Sequence, residues 1–398
     1  MTSEARHRAG ATSAVALASF LTAISIQAVA VIAVHQGRMT GPFLVSERVA
    51  PHLVLPVEPR EGSVGYDGQF FLALALSPRL GDPRLVDTFD EPAYRARRIL
   101  WPFLAHVSGF GRPEAVVPAL YLWLAISVAG GSWAIAWWTA RLGRSPWWGL
   151  LYAANLGVVA CLWRMLGDVV MSSLLLIALV ALRHGAPARA MLPLGGAILA
   201  KETALLGALA LFSVAAWNRK WILALWAVVS TVPALLWWSY VSWKFGDIGD
   251  SLVRENFVFV PAAGLVASAV LWLGSNRAWW AVGKDLILAT IHLMPLAALA
   301  ASILHGKKTS ERAANGWSYS VLALLAWAFC LLPLLLGIAV WEELWAFSRA
   351  LLPISPLAFL WALEQRRPIS STLAAAPFVL LAVAGVAFVV RLALGQTP

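Results

Sequence analysis

The chain has 398 residues, of which 60% are hydrophobic and 13% charged, and its formal charge is +10. An ordinary soluble domain is nearer half apolar and a quarter charged, and surface scales too steeply with mass for one water-soluble core to hide the difference. This excludes a soluble enzyme, a disordered chain and a disulfide scaffold, and indicates an all-α polytopic membrane protein, a single membrane domain over residues 1–398.

The positive charge comes as pairs between apolar runs, the pattern of short cytoplasmic loops. It calls for membrane lipids as partners and for no nucleic acid. Spans of roughly 20 apolar residues cross about 30 Å of hydrocarbon. The first is 12–34. Arg6 and Arg8 precede it, and it is too long for a signal-peptide core, so it reads as a retained anchor with a cytoplasmic N-terminus. The stretch 36–98 follows, a long extracytoplasmic loop with eight of the twenty acidic residues. Further spans are expected at 116–140, 147–162, 169–182, 221–241, 286–304, 319–341, 351–363 and 373–392.

The segment 190–216 is too short for two full crossings, yet Arg183/Arg189 and Arg219/Lys220 flank it. A hairpin of two short helices with Lys201–Glu202 at its apex satisfies both facts. Counted as two, it brings the bundle to about eleven transmembrane helices. Inside segments then carry Arg6/Arg8, Arg141/Arg144, Arg183/Arg189, Arg219/Lys220, Lys307/Lys308/Arg312 and Arg366/Arg367, and the C-terminus lies outside. The run 257–273 is expected to be re-entrant or at the surface, because a crossing there would put Lys307/Lys308 outside.

Candidate chemistry begins at Gly65-Tyr66-Asp67-Gly68-Gln69-Phe70-Phe71. The apolar run 70–76 is too short to span and reads as a helix at the membrane surface. Asp67 before it can cap the helix, or act as a general base at headgroup level. Gly65 and Gly68 would let a substrate approach the backbone. Further on, Asp90-Glu91-Pro92 is a helix start, and Arg95 and Arg98 at i, i+3 share a face, free to hold lipid phosphates in general or to grip one particular phosphate.

Lys201 and Glu202 are adjacent and do not face each other on a helix, so each needs its own partner or a wet cavity. Lys201 is read as the floor of a cavity, aimed at an anionic group. Arg164 and Asp168, at i, i+4, read as a simple ion pair. Asp247, Asp250, Arg254, Glu255, Asn256, Phe257, Glu342, Glu343 and Arg349 lie in outer turns that could line the same cavity. Cys161 and Cys330 sit in apolar runs and build no disulfide framework. The seven histidines have no common metal-site spacing, and phosphate-loop, Gly-x-Ser-x-Gly and Cys-x-x-Cys patterns are missing. No cofactor is assigned, although a divalent metal stays compatible.

Tyr66–Phe70 and Pro92–Leu100 together resemble the Tyr-Asp-Gly-Gln-Phe motif and the Pro-Ala-Tyr-Arg-x-Arg-Arg-Ile-Leu stretch of a bacterial family implicated in cell-surface glycopolymer formation. That family belongs to the integral-membrane glycosyltransferases of the GT-C fold. Ala200–Thr203 is similar to the lysine-bearing short helix of that fold, and Ser348-Arg349 before Pro353 also looks familial. One departure is that many relatives carry two neighbouring acids in the first loop, whereas Gly68 and Gln69 follow Asp67, which argues against a strict metal role there.

The resemblance implies a GT-C-like bundle in the bacterial inner membrane. It implies transfer of a hexosyl or pentosyl group from a polyprenyl-phosphate sugar donor to a cell-envelope glycan or lipid acceptor on the outer face. Asp67 would be the catalytic base. Tyr66, Gln69, Arg95, Arg98, Lys201, Glu202 and Arg349 would bind substrate, the cations stabilising the departing phosphate. Two other functions are compatible with the same features: a transporter or flippase of a lipid-linked saccharide, and a noncatalytic partner in polysaccharide assembly.

Overall fold

A computed structural model describes residues 3–246, 256–275, 278–304, 316–365 and 368–396. Asp247, Asp250, Arg254, Glu255, Lys307, Lys308, Arg312, Arg366 and Arg367 lie outside the described residues. The described chain is helical, with two isolated bridges, Ser46 to Arg60 and Phe257 to Leu336. In order the helices are α1 (Ser3–Val29), α2 (Gly68–Leu76), α3 (Leu85–Thr88), α4 (Pro92–Arg95), α5 (Leu100–Ser108), α6 (Pro113–Arg141), α7 (Leu150–Ala154), α8 (Leu156–Arg164), α9 (Asp168–Arg183) and α10 (Pro187–Ala200). After these come α11 (Leu205–Trp217), α12 (Trp221–Phe245), α13 (Ala263–Gly274), α14 (Trp279–Leu304), α15 (Gly316–Leu331), α16 (Ile338–Trp341), α17 (Leu344–Ala350), α18 (Ile354–Gln365) and α19 (Pro368–Ala393).

Among the described residues seven segments are long and apolar enough to cross a membrane: Ala9–Val34, Pro113–Arg141, Trp221–Phe245, Trp279–Ala300, Gly316–Leu335, Leu344–Gln365 and Leu373–Ala393. An eighth is α7 with α8, if this pair, bent by 48°, counts as one span. Large apolar side chains such as Leu21, Ile222, Leu236 and Val383 stand exposed on these helices. An apolar exterior of this kind is what a lipid solvent requires, so the chain is a multi-pass membrane protein. The run expected at 319–341 is not one helix. It breaks after Leu331, where Leu332–Leu335 form a 3₁₀ turn around Pro333, and α16 follows separately. In the run 257–273 the helix α13 has 12 residues, about 18 Å and shorter than a crossing.

The first loop is a packed structure. α2 was expected at the membrane surface, but its residues Gly68–Ala75 are all buried, and it packs on α5 and α6. Its apolarity is therefore met by protein and not by lipid. Phe71 meets Trp101 with ring centroids 5.2 Å apart, and the Trp101 indole donates to the Leu120 carbonyl at 3.0 Å. The loop is pinned onto the bundle in this way, so its side chains have fixed positions.

Side-chain contacts define two ends of the bundle. At one end Glu364 of α18 accepts from Arg183 of α9 (3.0 Å) and from the Trp138 indole of α6 (3.0 Å). Gln365 donates to the Tyr319 hydroxyl, and Lys220 lies 5.5 Å from the Trp317 ring centroid. At the other end Arg349 of α17 meets Asp67, just before α2, and Asp168 at the start of α9.

Candidate functional site

Asp67 occupies the turn before α2 and its backbone holds the N-cap position, but its side chain makes no capping bond. Oδ1 accepts from Arg95 at 2.9 Å and Oδ2 from Arg349 at 2.6 Å. Capping is therefore not the role of this carboxylate. Two guanidiniums offer charge-assisted hydrogen bonds that outcompete neutral backbone N–H groups. The turn approaches its surroundings closely: a Cβ at Gly68 would stand 2.6 Å from the Arg164 carbonyl oxygen and 3.0 Å from that of Phe43.

Arg95 also holds Asp90 at 2.7 Å, and its guanidinium lies 4.5 Å from the Phe70 ring centroid. Arg98 was expected on the same helix face. Because α4 ends at Arg95, Arg98 turns elsewhere. It reaches Glu202 at 2.6 Å and contacts the Tyr94 hydroxyl. Lys201 sits where α10 stops, with φ −162° and ψ 135°. Its ammonium pairs with Asp168 at the start of α9, and Arg349 stands 3.6 Å from the second oxygen of Asp168. Lys201 and Glu202 thus point to different partners, in line with their adjacency.

Arg164 and Asp168 do not pair. The i, i+4 relation needs one continuous helix, and Met165, with φ +52°, ends α8 before α9 begins. Arg164 instead lies 5.6 Å from the Tyr66 ring centroid and 5.4 Å from that of Trp163. The Tyr66 hydroxyl donates to Glu343 at 3.0 Å, and its ring is 5.4 Å from the Arg349 guanidinium. Gln69 stands apart from this cluster. Its Oε1 accepts from the Ser46 amide and hydroxyl at 3.0 and 3.1 Å, and its Nε2 donates to the Val64 carbonyl at 3.2 Å. Its amide braces the loop.

A cavity of 140 Å³ opens beside these groups. Asp67, Arg95, Arg98, Lys201, Glu202 and Arg349 line it together with Phe257, Leu332, Leu336 and Val340. Four cations against two carboxylates give this lining a formal +2. The cavity is suited to an anion that carries an apolar tail.

Burial alone would raise the Asp67 carboxyl, but Arg95 and Arg349 outweigh it and hold the group well below the usual carboxylate range. Glu343 goes the other way: burial raises it, against the hydrogen bond from Tyr66 and the charges of Arg349 and Arg164. Among the described residues no group of three or more His, Cys, Asp or Glu is placed to hold a metal ion. Tyr94 joins the site without having been singled out for it from sequence, Asp168 joins it as the partner of Lys201 and not of Arg164, and Glu343, one of the outer-turn residues named for the cavity, holds Tyr66. The signal that could have found Asp168 is its place at the end of an apolar run, one bundle length from Arg183.

Comparison with protein-family models, with curated proteins and with solved structures returned no match in any of the three.

Proposed function

We propose that the chain is a glycosyltransferase that moves a sugar from a polyprenyl-phosphate donor to a cell-envelope glycan or lipid acceptor. The observation that carries this reading is the mixed lining of the cavity: four cations and Asp67 share it with Phe257, Leu332, Leu336 and Val340. The cations would hold the donor phosphate and the apolar wall the first units of its prenyl chain. In the reaction the acceptor oxygen forms a bond to the anomeric carbon as the bond from that carbon to the phosphate oxygen breaks. The phosphate leaves with the electron pair, stabilised by Arg95, Arg98, Lys201 and Arg349. The acceptor hydroxyl proton passes to a carboxylate, and Asp67 is ionised and at the cavity wall.

The proposed topology is eleven legs between the two ends of the bundle. Its support is that Asp168 meets Lys201 at one end while Arg183 meets Glu364 at the other. This makes α9 and α10 full legs of the bundle despite their 16 and 14 residues. At about 1.5 Å per residue those legs are roughly 21–24 Å long, shorter than the ~30 Å hydrocarbon core. The cavity would then lie below the outer headgroups, where a lipid phosphate enters sideways. In this topology the Arg183 and Lys220 end faces the cytoplasm, as does the N-terminus.

One observation favours the flippase reading. Two arginines lower the proton affinity of Asp67, which makes it a weak base. The deciding assay uses the full chain in lipid nanodiscs with a panel of polyprenyl-phosphate sugars and a crude envelope acceptor, and mass spectrometry follows the freed polyprenyl phosphate. We expect release by wild type and at least a hundredfold less by Asp67→Asn, the lower end of the roughly 10²–10⁴-fold contribution of a general base. Equal release by both keeps the transferase and removes Asp67 as base. No release despite demonstrated carrier binding turns the reading to a flippase.

A further inference from the structure

A second cavity, of 380 Å³, lies behind Tyr66 and outside the Asp67 cluster. Its wall is formed by the end of the first span at His35, by Arg38, by Arg60 of the first loop, and by Trp163 and Arg164 at the end of α8. Its size falls within the roughly 300–1,000 Å³ of small-molecule sites. Arg38, Arg60 and Arg164 against Glu58 give a formal +2. Glu58 is engaged by Arg38 at 2.5 Å on the exposed rim. No carboxylate among the described residues pairs with Arg60 or Arg164.

Three buried nitrogens on this wall have no hydrogen-bond partner: Nε2 of His35, Nε1 of Trp163 and Nε of Arg164. The indole and guanidinium nitrogens can only donate. Buried donors without acceptors are costly, and here they belong to residues of two chain segments that line one cavity. The ligand that answers them is rich in acceptors, negatively charged and tetrahedral. A planar carboxylate presents its oxygens in one plane, whereas a phosphate presents them in several directions. Packing has been arranged around the His35 ring as well, since a Cβ at Gly41 would stand 2.5 Å from it. The surrounding cations and burial keep His35 neutral, lowering it to about 4, with burial the larger cause. The neutral ring can still donate one hydrogen bond.

We propose that this cavity binds a phosphate group, from a membrane phosphodiester headgroup or from a soluble phosphate ester. The site goes beyond the proposed transferase cavity and does not depend on it. The first span ends at Val34, which places His35 and Arg60 at the level where lipid phosphates lie. Arg164 is the shared wall between this cavity and Tyr66.

The test uses the delipidated full chain in detergent, in two arms. Glycerol phosphate is titrated by calorimetry, and phosphatidylglycerol by native mass spectrometry, with diacylglycerol as the phosphate-free control. Binding in the first arm alone identifies a soluble ester, and binding that needs the lipid identifies a headgroup. In either arm Arg60→Gln should weaken binding about tenfold, since one charge-assisted hydrogen bond is worth roughly that factor. Arg60→Gln/Arg164→Gln should abolish it, and Arg144→Gln, which removes an exposed charge outside both cavities, should leave it unchanged. Arg60→Gln keeps the proposal testable if the double variant fails to fold, because the Arg60 side chain is exposed and its backbone bond to Val45 is retained. Absence of binding in both arms, binding unchanged by Arg60→Gln, or binding lost on Arg144→Gln would each overturn it.

Discussion

Asp67 carries most of the argument at the scale of single residues, because its two oxygens are divided between arginines 28 and 282 positions away. Removing that carboxylate would leave two poorly hydrated cations facing each other. Its lowered proton affinity also has a stability consequence of definite sign. The folded chain binds fewer protons at this position than the unfolded chain does. The stabilisation is therefore complete above the ordinary carboxylate range, and it is lost as pH falls through that range toward the lower folded value. Thermal unfolding of wild type and Asp67→Asn, compared between roughly pH 5 and pH 3, should show a steeper loss in wild type. All other carboxylates are common to the two proteins, so parallel curves would mean that the arginines do not hold Asp67 in solution. Arg95, Arg349 and Asp67 were all visible in the sequence as candidates. Their mutual pairing was not, because nothing in local spacing records contacts across hundreds of residues.

Elements matter here through the places where helices stop. α4 ends at Arg95, α8 at Arg164 before Met165, and α10 at Ala200 before Lys201, and each stop aims a charged side chain that a continuous helix would have directed elsewhere. Sequence reading located the break at Lys201 from its charge and put a turn between the spans 147–162 and 169–182, but it paired Arg164 with Asp168 across that turn because the spacing looked helical. α17, which carries Arg349, is set by its contact with α8. The Ser348 carbonyl lies against the place where a Cβ at Gly157 would be, and Leu352 Cβ is 3.2 Å from that point. Gly157→Ala must push α17 away from α8, at a cost of about 1–3 kcal/mol for overpacking. Gly283 in α14 is the contrasting case, with nothing within 4 Å of its would-be Cβ. There alanine removes unfolded-state freedom and gains roughly 0.4–1 kcal/mol. Thermal midpoints of the two variants should move in opposite directions. Equal shifts would show that α8 and α17 do not touch as described.

At the scale of the whole molecule, the length of apolar runs marked the seven membrane-length segments among the described residues, because lipid imposes a length and a composition that sequence displays directly. The same signal misread the short elements: α2 is apolar through burial in protein, and 319–341 turns at Pro333. The proposed topology follows from the two ends. Arg141 and Arg183 lie near Trp137 and Glu364, and Lys220 lies near Trp317, so one member of each of these three basic pairs stands at the end away from Asp67. The C-terminal helix runs back, since Phe388 packs on Trp163 and Trp345, beside Arg164 and α17. Residue 396 should therefore share a face with the first loop, and residues 144 and 219 should share the opposite face. Single substitutions Glu61→Cys, Gln396→Cys, Arg144→Cys and Arg219→Cys test this with a membrane-impermeant maleimide, since all four positions are exposed and the native Cys161 and Cys330 are buried. Glu61 and Gln396 should label on intact spheroplasts, and Arg144 and Arg219 only after permeabilisation. An eleven-leg chain has an odd number of crossings, so its two termini must face opposite sides. Labelling of Gln396 together with Arg144 would make the count even, and would move the cavity away from the face on which a lipid-linked donor is proposed to arrive.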